Sequence, residues 1–353
     1  VIVLDTNQAE LLGVSPSPLF LMVKHVASTH EHELAIPEIV LVEMLAHWRH
    51  KVETQLKAVE VATAELERLH APLAPHGLPN VDKLVERREE VLRDHFTVLP
   101  VPEGAAWDGL RREANRQRPA DVDWGKKGEG ARDVVVWLTL LASSEQYVGD
   151  LVFVSNDGDF FDKRGELHPE LKAEAADHAA EGCSFQCARK IDDLLAMLAT
   201  EVPVPANFNL LESSRPVVKG VVGKSAQDSA LAGVRSVRES LGDRAQTSFE
   251  ISELAVEPRS KTYAYEVNGR TWICARARWT GCVDVEISIY GADVVIPTVS
   301  IPFVMDGSIL ADGPEAPPHF AQLLSQTTTR LDEPIASVQR AFSALLPTSA
   351  ELG

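Results

Sequence analysis

Over the first 200 residues the apolar positions fall into short unbroken runs, separated by stretches with helical spacing. Residues 1–4 are branched, apolar and uninterrupted, which predicts a strand buried on both faces, as in a parallel sheet. After a turn region at 13–18, residues 19–28 have helical spacing, with Ser17 placed as a cap and Pro18 in the first turn. Residues 33–36 read as a second short strand, and Pro37 opens a helix that runs through Glu43 towards His50. From 51 to about 96, Glu, Lys, Arg, Leu and Ala recur at helical periodicity, broken by prolines between 71 and 80. This predicts a helical hairpin inserted into an α/β core, its charged faces solvated. Residues 97–101 read as a strand or an extended connector. A helix over 131–143, a strand over 151–154, a helix over 169–180, a strand over 183–187 and a helix over 191–200 follow. Such alternation predicts a three-layer, mostly parallel α/β sheet spanning residues 1–202.

The pattern changes after Val202. Residues 203–229 carry Pro, Ser, Gly and Asn and read as a linker, with a helix expected over 226–242. The remainder, 230–353, reads as an α+β domain with antiparallel strands. Asn268-Gly269 sits between two apolar-rich runs, 263–267 and 270–278, and signals a tight hairpin. Residues 283–290 alternate apolar and polar, as a half-buried strand does, and 294–301 add a further strand. One or two closing helices are expected over 319–346.

Composition narrows the class rather than the function. With 45% hydrophobic and 24% charged residues, the 353-residue chain is of globular type, and no apolar run reaches the roughly 18 residues of a membrane span. The first residues read as strand, so no leader is expected, and the lack of an initiating Met points to residues missing in front. The four cysteines are scattered without a CxxC pair, which argues for reduced thiols and a cytoplasmic location. His25, His30 and His32 lack HExxH spacing, and neither a Walker glycine loop nor a GxSxG elbow occurs. A net charge of −18 opposes tight, sequence-independent gripping of nucleic acid, though local basic patches remain compatible with it.

Four acids stand out by position: Asp5, Glu43, Asp133 and Asp157. Asp5 and Asp157 follow short buried strands, and open α/β sheets place their sites at such strand ends. Glu43 lies on a helix that can face that edge, and Asp133 opens the helix beginning near Ala131. Carboxylates gathered in one cleft repel one another unless cations neutralise them. Hard divalent ions with oxygen ligands, Mg²⁺ or Mn²⁺, are the natural solution, and metal-assisted attack on a phosphate ester follows.

These residues resemble those of the PIN-domain nucleases. The points of resemblance, in order, are Leu4-Asp5-Thr6-Asn7 after the first strand, the helix carrying Glu43 behind Pro37-Glu38-Ile39-Val40, the Arg132-Asp133 helix entry, and Ser155-Asn156-Asp157-Gly158-Asp159-Phe160 after a strand. The resemblance covers about residues 1–200 and points to a bacterial subgroup with a long helical segment rather than to the small toxin nucleases. It implies that Asp5, Glu43, Asp133 and Asp157 act as catalytic metal ligands, with Asp159 as an additional, outer carboxylate. Asn7 and Ser155 would support ligands or a metal-bound water, with Glu129 a further candidate. Lys126, Lys127 and Arg132 are candidates for contacting substrate phosphates. The implied activity is divalent-metal-dependent hydrolysis of phosphodiester bonds, as a ribonuclease acting on RNA or single-stranded nucleic acid. A homodimer is compatible with the family, and a protein partner is expected at the C-terminal domain.

The competing expectation is a PIN-like scaffold or regulatory module in which catalysis is weak. A haloacid-dehalogenase-type phosphatase fits less well, because its second Asp, two positions after the first, is Asn7 here. In the C-terminal domain, Arg270, Arg276 and Arg278 with Trp272 and Trp279 suggest a stacking surface for nucleic acid, but the alternation favours a packed sheet with one polar face.

Overall fold

The structure is a computed structural model and describes residues 1–13, 17–68, 79–122, 130–222, 245–289, 299–313 and 321–326. The chain divides into two compact units, Val1–Val14 with Val23–Leu198, and Ser15–Met22 with Ala199–Gly353.

The first unit is built on a five-stranded, all-parallel sheet in the order β3-β2-β1-β4-β5. Its strands are β1 (Ile2–Leu4), β2 (Leu34–Pro37), β3 (Thr97–Leu99), β4 (Gly149–Val154) and β5 (Cys183–Ala188). Ile2, Val3 and Leu4 have no exposed surface, as central strands covered on both faces require. The chain winds outwards from β1 through β2 to β3, then returns to place β4 on the other side of β1. The gap between β1 and β4 is therefore the switch point at which open sheets form clefts beyond their carboxyl ends. Register makes this exact to the residue: Leu4 pairs with Val154, and the Asp5 N–H donates to the Val154 carbonyl at 3.0 Å, so Asp5 and Ser155 leave the sheet side by side.

The helices of this unit are α1 (Thr6–Gly13), α2 (Pro18–Thr29, of which the part from Val23 onward belongs to it), α3 (Glu38–Arg68), α4 (Val81–His95), α5 (Ala105–Ala114), α6 (Ala131–Ser144), α7 (Pro169–His178) and α8 (Ile191–Leu198). The expected hairpin insertion takes a different form: α3 runs unbroken for 31 residues, so its first arm continues the helix that carries Glu43. Nothing in that helix interrupts the backbone ladder, since neither Gly nor Pro occurs within it. The second arm, α4, is capped by Asn80, which accepts from Lys83 N at 3.2 Å, and is tied to α3 by Arg49–Asp82 at 2.7 Å and by Arg88 over the Trp48 ring. Helix α6 is the apolar roof of the sheet. Its Trp137 meets Phe185 edge-on at 5.8 Å and Phe160 at 6.4 Å, and Phe160 in turn meets Phe153 at 5.0 Å. That aromatic chain pins the segment after β4 beneath the helix that begins beside Asp133.

The second unit is a six-stranded antiparallel sheet, β11-β10-β9-β8-β6, with β7 paired to β9. Its strands are β6 (Thr200–Val202), β7 (Ala245–Pro258), β8 (Tyr263–Val267), β9 (Arg270–Ile289), β10 (Val299–Asp312) and β11 (Ala321–Gln326), and residues 210–222 form a helix. Asn268 and Gly269 both have positive φ, 49° and 73°, as a tight hairpin turn between right-twisted strands demands. The two strands expected over 270–278 and 283–290 are one continuous strand through Ile289, since β10 pairs along most of its length. A closing helix was expected from 319. In its place, Ala321–Gln326 pairs with β10 as an edge strand, and the helix-favouring Ala, Gln and Leu residues are overridden by the open ladder beside them. The helix expected over 226–242, and the remainder of the closing segment, lie outside the described residues.

Candidate metal centre

Asp5 is the buried anchor of the cleft, only 5% exposed. Its Oδ2 accepts from the Ser155 hydroxyl at 2.6 Å and from Asn7 Nδ2 at 3.0 Å, and its Oδ1 accepts from the Thr6 N–H at 2.7 Å. A carboxylate oxygen has two lone pairs, so Oδ2 is filled and Oδ1 keeps one acceptor direction open. Asn7 is held in turn, its Oδ1 accepting from Asn156 N at 3.1 Å and from Gln8 Nε2 at 2.8 Å, while Gln8 Oε1 accepts from Ile191 N. Ser155 also accepts from Asp157 N at 3.1 Å, and Asp157 Oδ1 accepts from Asp159 N at 2.9 Å, which winds the 155–159 turn around its own acids.

That winding puts Asp157 and Asp159 next to Asp133. One carboxylate oxygen from each of the three lies within 4.8 Å of the others, and all three side chains are partly buried. Two metal–oxygen bonds of about 2.1 Å span at most about 4.2 Å, so a hard divalent ion fits this trio after small side-chain rotations. The electrostatics agree. Burial, and then the Asp157, Asp5 and Asp159 carboxylates, push the Asp133 carboxyl up to about 8, with Arg132 opposing. Burial likewise raises Asp5, resisted by the Ser155 and Thr6 hydrogen bonds and reinforced by Asp157 and Glu43. Without a cation the cleft stays partly protonated at neutral pH; a bound cation would reverse that.

The remaining candidates are arranged around this centre. Glu43 stands on α3, its Oε2 accepting from the Thr6 hydroxyl at 2.7 Å and its Oε1 ion-paired with Arg132. His47, one turn on, binds Glu10 at 2.7 Å and lies 4.0 Å from Glu43. The trio whose oxygens converge thus contains Asp159 and leaves Asp5 and Glu43 outside it, although Asp5 bears electrostatically on Asp133, and Glu43 on Asp5. Lys126, Lys127 and Glu129 lie outside the described residues. The sequence reading assigned no role to Thr6, although it stands inside the Asp5 motif. It also missed Glu113, which caps α6 by accepting from Ala131 N at 2.9 Å, and Arg118, which donates to the Asp159 carbonyl at 3.4 Å. The last two fall on or after α5, a helix for which no sequence signal had been read.

In the second unit the proposed stacking residues are spent on packing. Trp279 is fully buried and donates to Ser214 Oγ at 2.8 Å, Trp272 is 7% exposed, and Arg278 and Arg270 are paired with Asp306 and Asp312. No helix among the described residues is long and apolar enough to cross a membrane.

Residues 2–160 match the family model of the PIN domain, while no curated protein and no solved structure matches the chain. The matched segment contains β1 to β4 of the parallel sheet together with Asp5, Glu43, Asp133, Asp157 and Asp159. Over residues 2–160 the chain is therefore similar to the PIN domain, the family whose motifs its sequence resembles.

Proposed function

We propose that the first unit is a divalent-metal-dependent nuclease that hydrolyses phosphodiester bonds, with RNA as its substrate. PIN domains are in general nucleases that use divalent metals. The observation that carries the reading is the Asp133, Asp157 and Asp159 trio at the sheet's switch point, where burial, and then the neighbouring carboxylates, raise Asp133 to about 8. Asp133, Asp157 and Asp159 would hold the ion, Mg²⁺ or Mn²⁺, with Asp5 as the buried carboxylate that bears on Asp133. When bound, that ion supplies an activated water and offsets charge on the phosphate and the leaving oxygen. Ser155, Asn7 and the Thr6 N–H fix Asp5 in place, so the acid that is deepest in the cleft is also the least free to move. Glu43 pairs with Arg132 and accepts from the Thr6 hydroxyl, next to Asp5 in sequence.

Cleavage of RNA and single-stranded DNA by the full chain, with Mg²⁺ or Mn²⁺, tests this against Asp5→Asn and Asp157→Asn. Loss of about 100-fold or more in both variants is expected, in line with removal of a metal ligand or its support. Equal cleavage by all three proteins would remove the assignment. The engagement of both Glu43 oxygens favours a second reading, a PIN scaffold with weak catalysis, and failure of Mn²⁺ to bind in a calorimeter would select it. The second unit is proposed to recognise substrate or a protein partner, and the cytoplasm as the compartment; a homodimer belongs to the same proposal.

A further inference from the structure

Within an acidic chain one cavity of the first unit is lined by arginine. About 630 Å³ in volume, it opens between α5, the segment that follows it, and α7. Arg111, Arg112, Arg116 and Arg118 face Glu170 and Glu174, four guanidinium groups against two carboxylates. The carboxylate of Glu174 is already neutralised. Arg112 grips it with both terminal nitrogens, and the Trp137 indole N–H donates to it at 2.8 Å. Arg112 also donates to the Arg118 carbonyl at 3.2 Å, so the side chain whose ion pair roots α7 to α5 also fixes the backbone from which Arg118 projects.

Arg118 ties this cavity to the segment that carries Asp159. Its Nη1 donates to the Asp159 backbone carbonyl at 3.4 Å, and it makes no ion pair with a carboxylate among the described residues. A half-exposed guanidinium that is held at a carbonyl has most of its donors still to satisfy, and its planar fork matches phosphate oxygens. Arg111, at the outer lip, is 59% exposed and pairs with Asp108 at 2.9 Å, an exchangeable surface contact. Arginines thus line the cavity as far as the backbone of Asp159, a member of the acid trio. A strand whose scissile phosphate lies at the trio would carry its flanking phosphates onto these arginines.

Resting on the nuclease reading above, we propose that this cavity is the phosphate-binding track for the substrate strand, with Arg118 taking the phosphodiester next to the one that is cleaved and Arg111 one further out. The ligand chemistry is the sugar-phosphate backbone of a single strand, which is contacted without base readout.

The test uses the full chain and a fluorescein-labelled 12-nucleotide RNA, its DNA counterpart and inorganic phosphate as probes, with binding followed by anisotropy across a salt series and cleavage followed in parallel. Arg118→Ala, and independently Arg111→Ala should Arg118→Ala fold poorly, are expected to weaken RNA binding by roughly 10-fold and to raise KM rather than lower kcat. Each should also reduce the salt slope of binding by about 0.7, one released counterion on a single strand. Arg118→Lys should recover part of the loss, because the charge survives while the fork does not. Arg87→Ala, an exposed arginine on α4, is the control. Mn²⁺ affinity measured in the same variants separates a phosphate contact from mere balancing of the acids: a changed metal affinity with unchanged RNA binding overturns the proposal. Wild-type affinity and salt slope in both alanine variants overturn it too, and leave the nuclease reading intact if the wild type cleaves. Binding that weakens in the variants of a protein that never cleaves supports the track while removing the nuclease. Equal loss for RNA and DNA makes the track backbone-directed, loss confined to RNA assigns it to the ribose-bearing strand, and tight capture of inorganic phosphate alone overturns it.

Discussion

Replacing Asp133 with Asn should stabilise the metal-free protein and remove most of the further stabilisation that metal gives the wild type. In the folded cleft Asp133 titrates near 8, against an ordinary value of 3.8. At pH 7 its carboxyl is therefore mostly protonated in the native state and fully ionised once unfolded. Holding that proton across about 3 pH units costs about 4 kcal/mol at 1.36 kcal/mol per unit. Asparagine resembles the neutral carboxyl in shape and cannot ionise on unfolding, so Asp133→Asn should gain about 2–4 kcal/mol in EDTA. For a unit of this size that is a rise of roughly 4–16 °C in Tm. The pH dependence has a definite sign. Because the folded value is raised, the contribution of Asp133 is fully present below about pH 4, declines as pH rises, and is lost once pH passes about 8. Asp133→Asn should lack that decline. With Mn²⁺ at 100 times its Kd the wild type should gain about 2.7 kcal/mol, and the variant little. Calorimetric titration in two buffers of different ionisation enthalpy should also show the wild type releasing close to one proton per ion at pH 7, the variant almost none. A variant less stable than wild type in EDTA, or one releasing the same proton, would refute the reasoning that burial and neighbouring acids govern this site.

Three further outcomes follow from other contacts. Ser155→Ala removes the donor to Asp5 Oδ2 and the acceptor of Asp157 N, and Mn²⁺ affinity or turnover should fall about 10- to 100-fold; unchanged calorimetric affinity would count against Ser155 as the organiser of the turn. Glu174→Gln breaks the Arg112 pair and should cost about 2 kcal/mol at pH 7 by urea midpoint. Burial acts to raise the Glu174 carboxyl, but Arg112 and Trp137 outweigh it and hold it below its ordinary range, so this contribution is present above about pH 4.5 and fades as pH falls through the lowered value; a gap between the proteins that widens in acid would contradict it. Gly269→Ala forces a side chain onto φ 73° in the β8–β9 hairpin and should cost about 1 kcal/mol, read from the denaturation midpoint of the second unit, with no effect on cleavage.

Much of the first unit was legible because its elements announce themselves locally. A triplet such as Ile2-Val3-Leu4 can only be a strand buried on both faces, and the acid that follows it can only sit at the strand's end. The Asn268-Gly269 turn is of the same kind, a backbone requirement written into two residues. Strand count and alternation then leave few topologies, and the parallel sheet with Asp5 and Asp157 at one edge was among the expectations. Segments with weak local signals were misread or passed over. Helix α5 went unseen, and Ala321–Gln326 has a composition that suits a helix and becomes a strand only because β10 offers it an open edge.

The amino-acid order by itself determined that acids would follow the strands at one end of a parallel sheet, Asp5 after β1 and Asp157 after β4. Only the tertiary structure decided which oxygens converge, because that depends on partners far apart along the chain. Ser155 reaches Asp5 across 150 residues and Arg132 reaches Glu43 across 89, and no local pattern encodes a pairing of that span. The 155–159 turn winds Asp159 into the trio while hydrogen bonds hold Asp5 in place, and Arg112, paired with Glu174, fixes the backbone of Arg118, which reaches the Asp159 carbonyl. Local propensity sets where each side chain leaves the backbone; the distances that make chemistry possible are set by packing between elements.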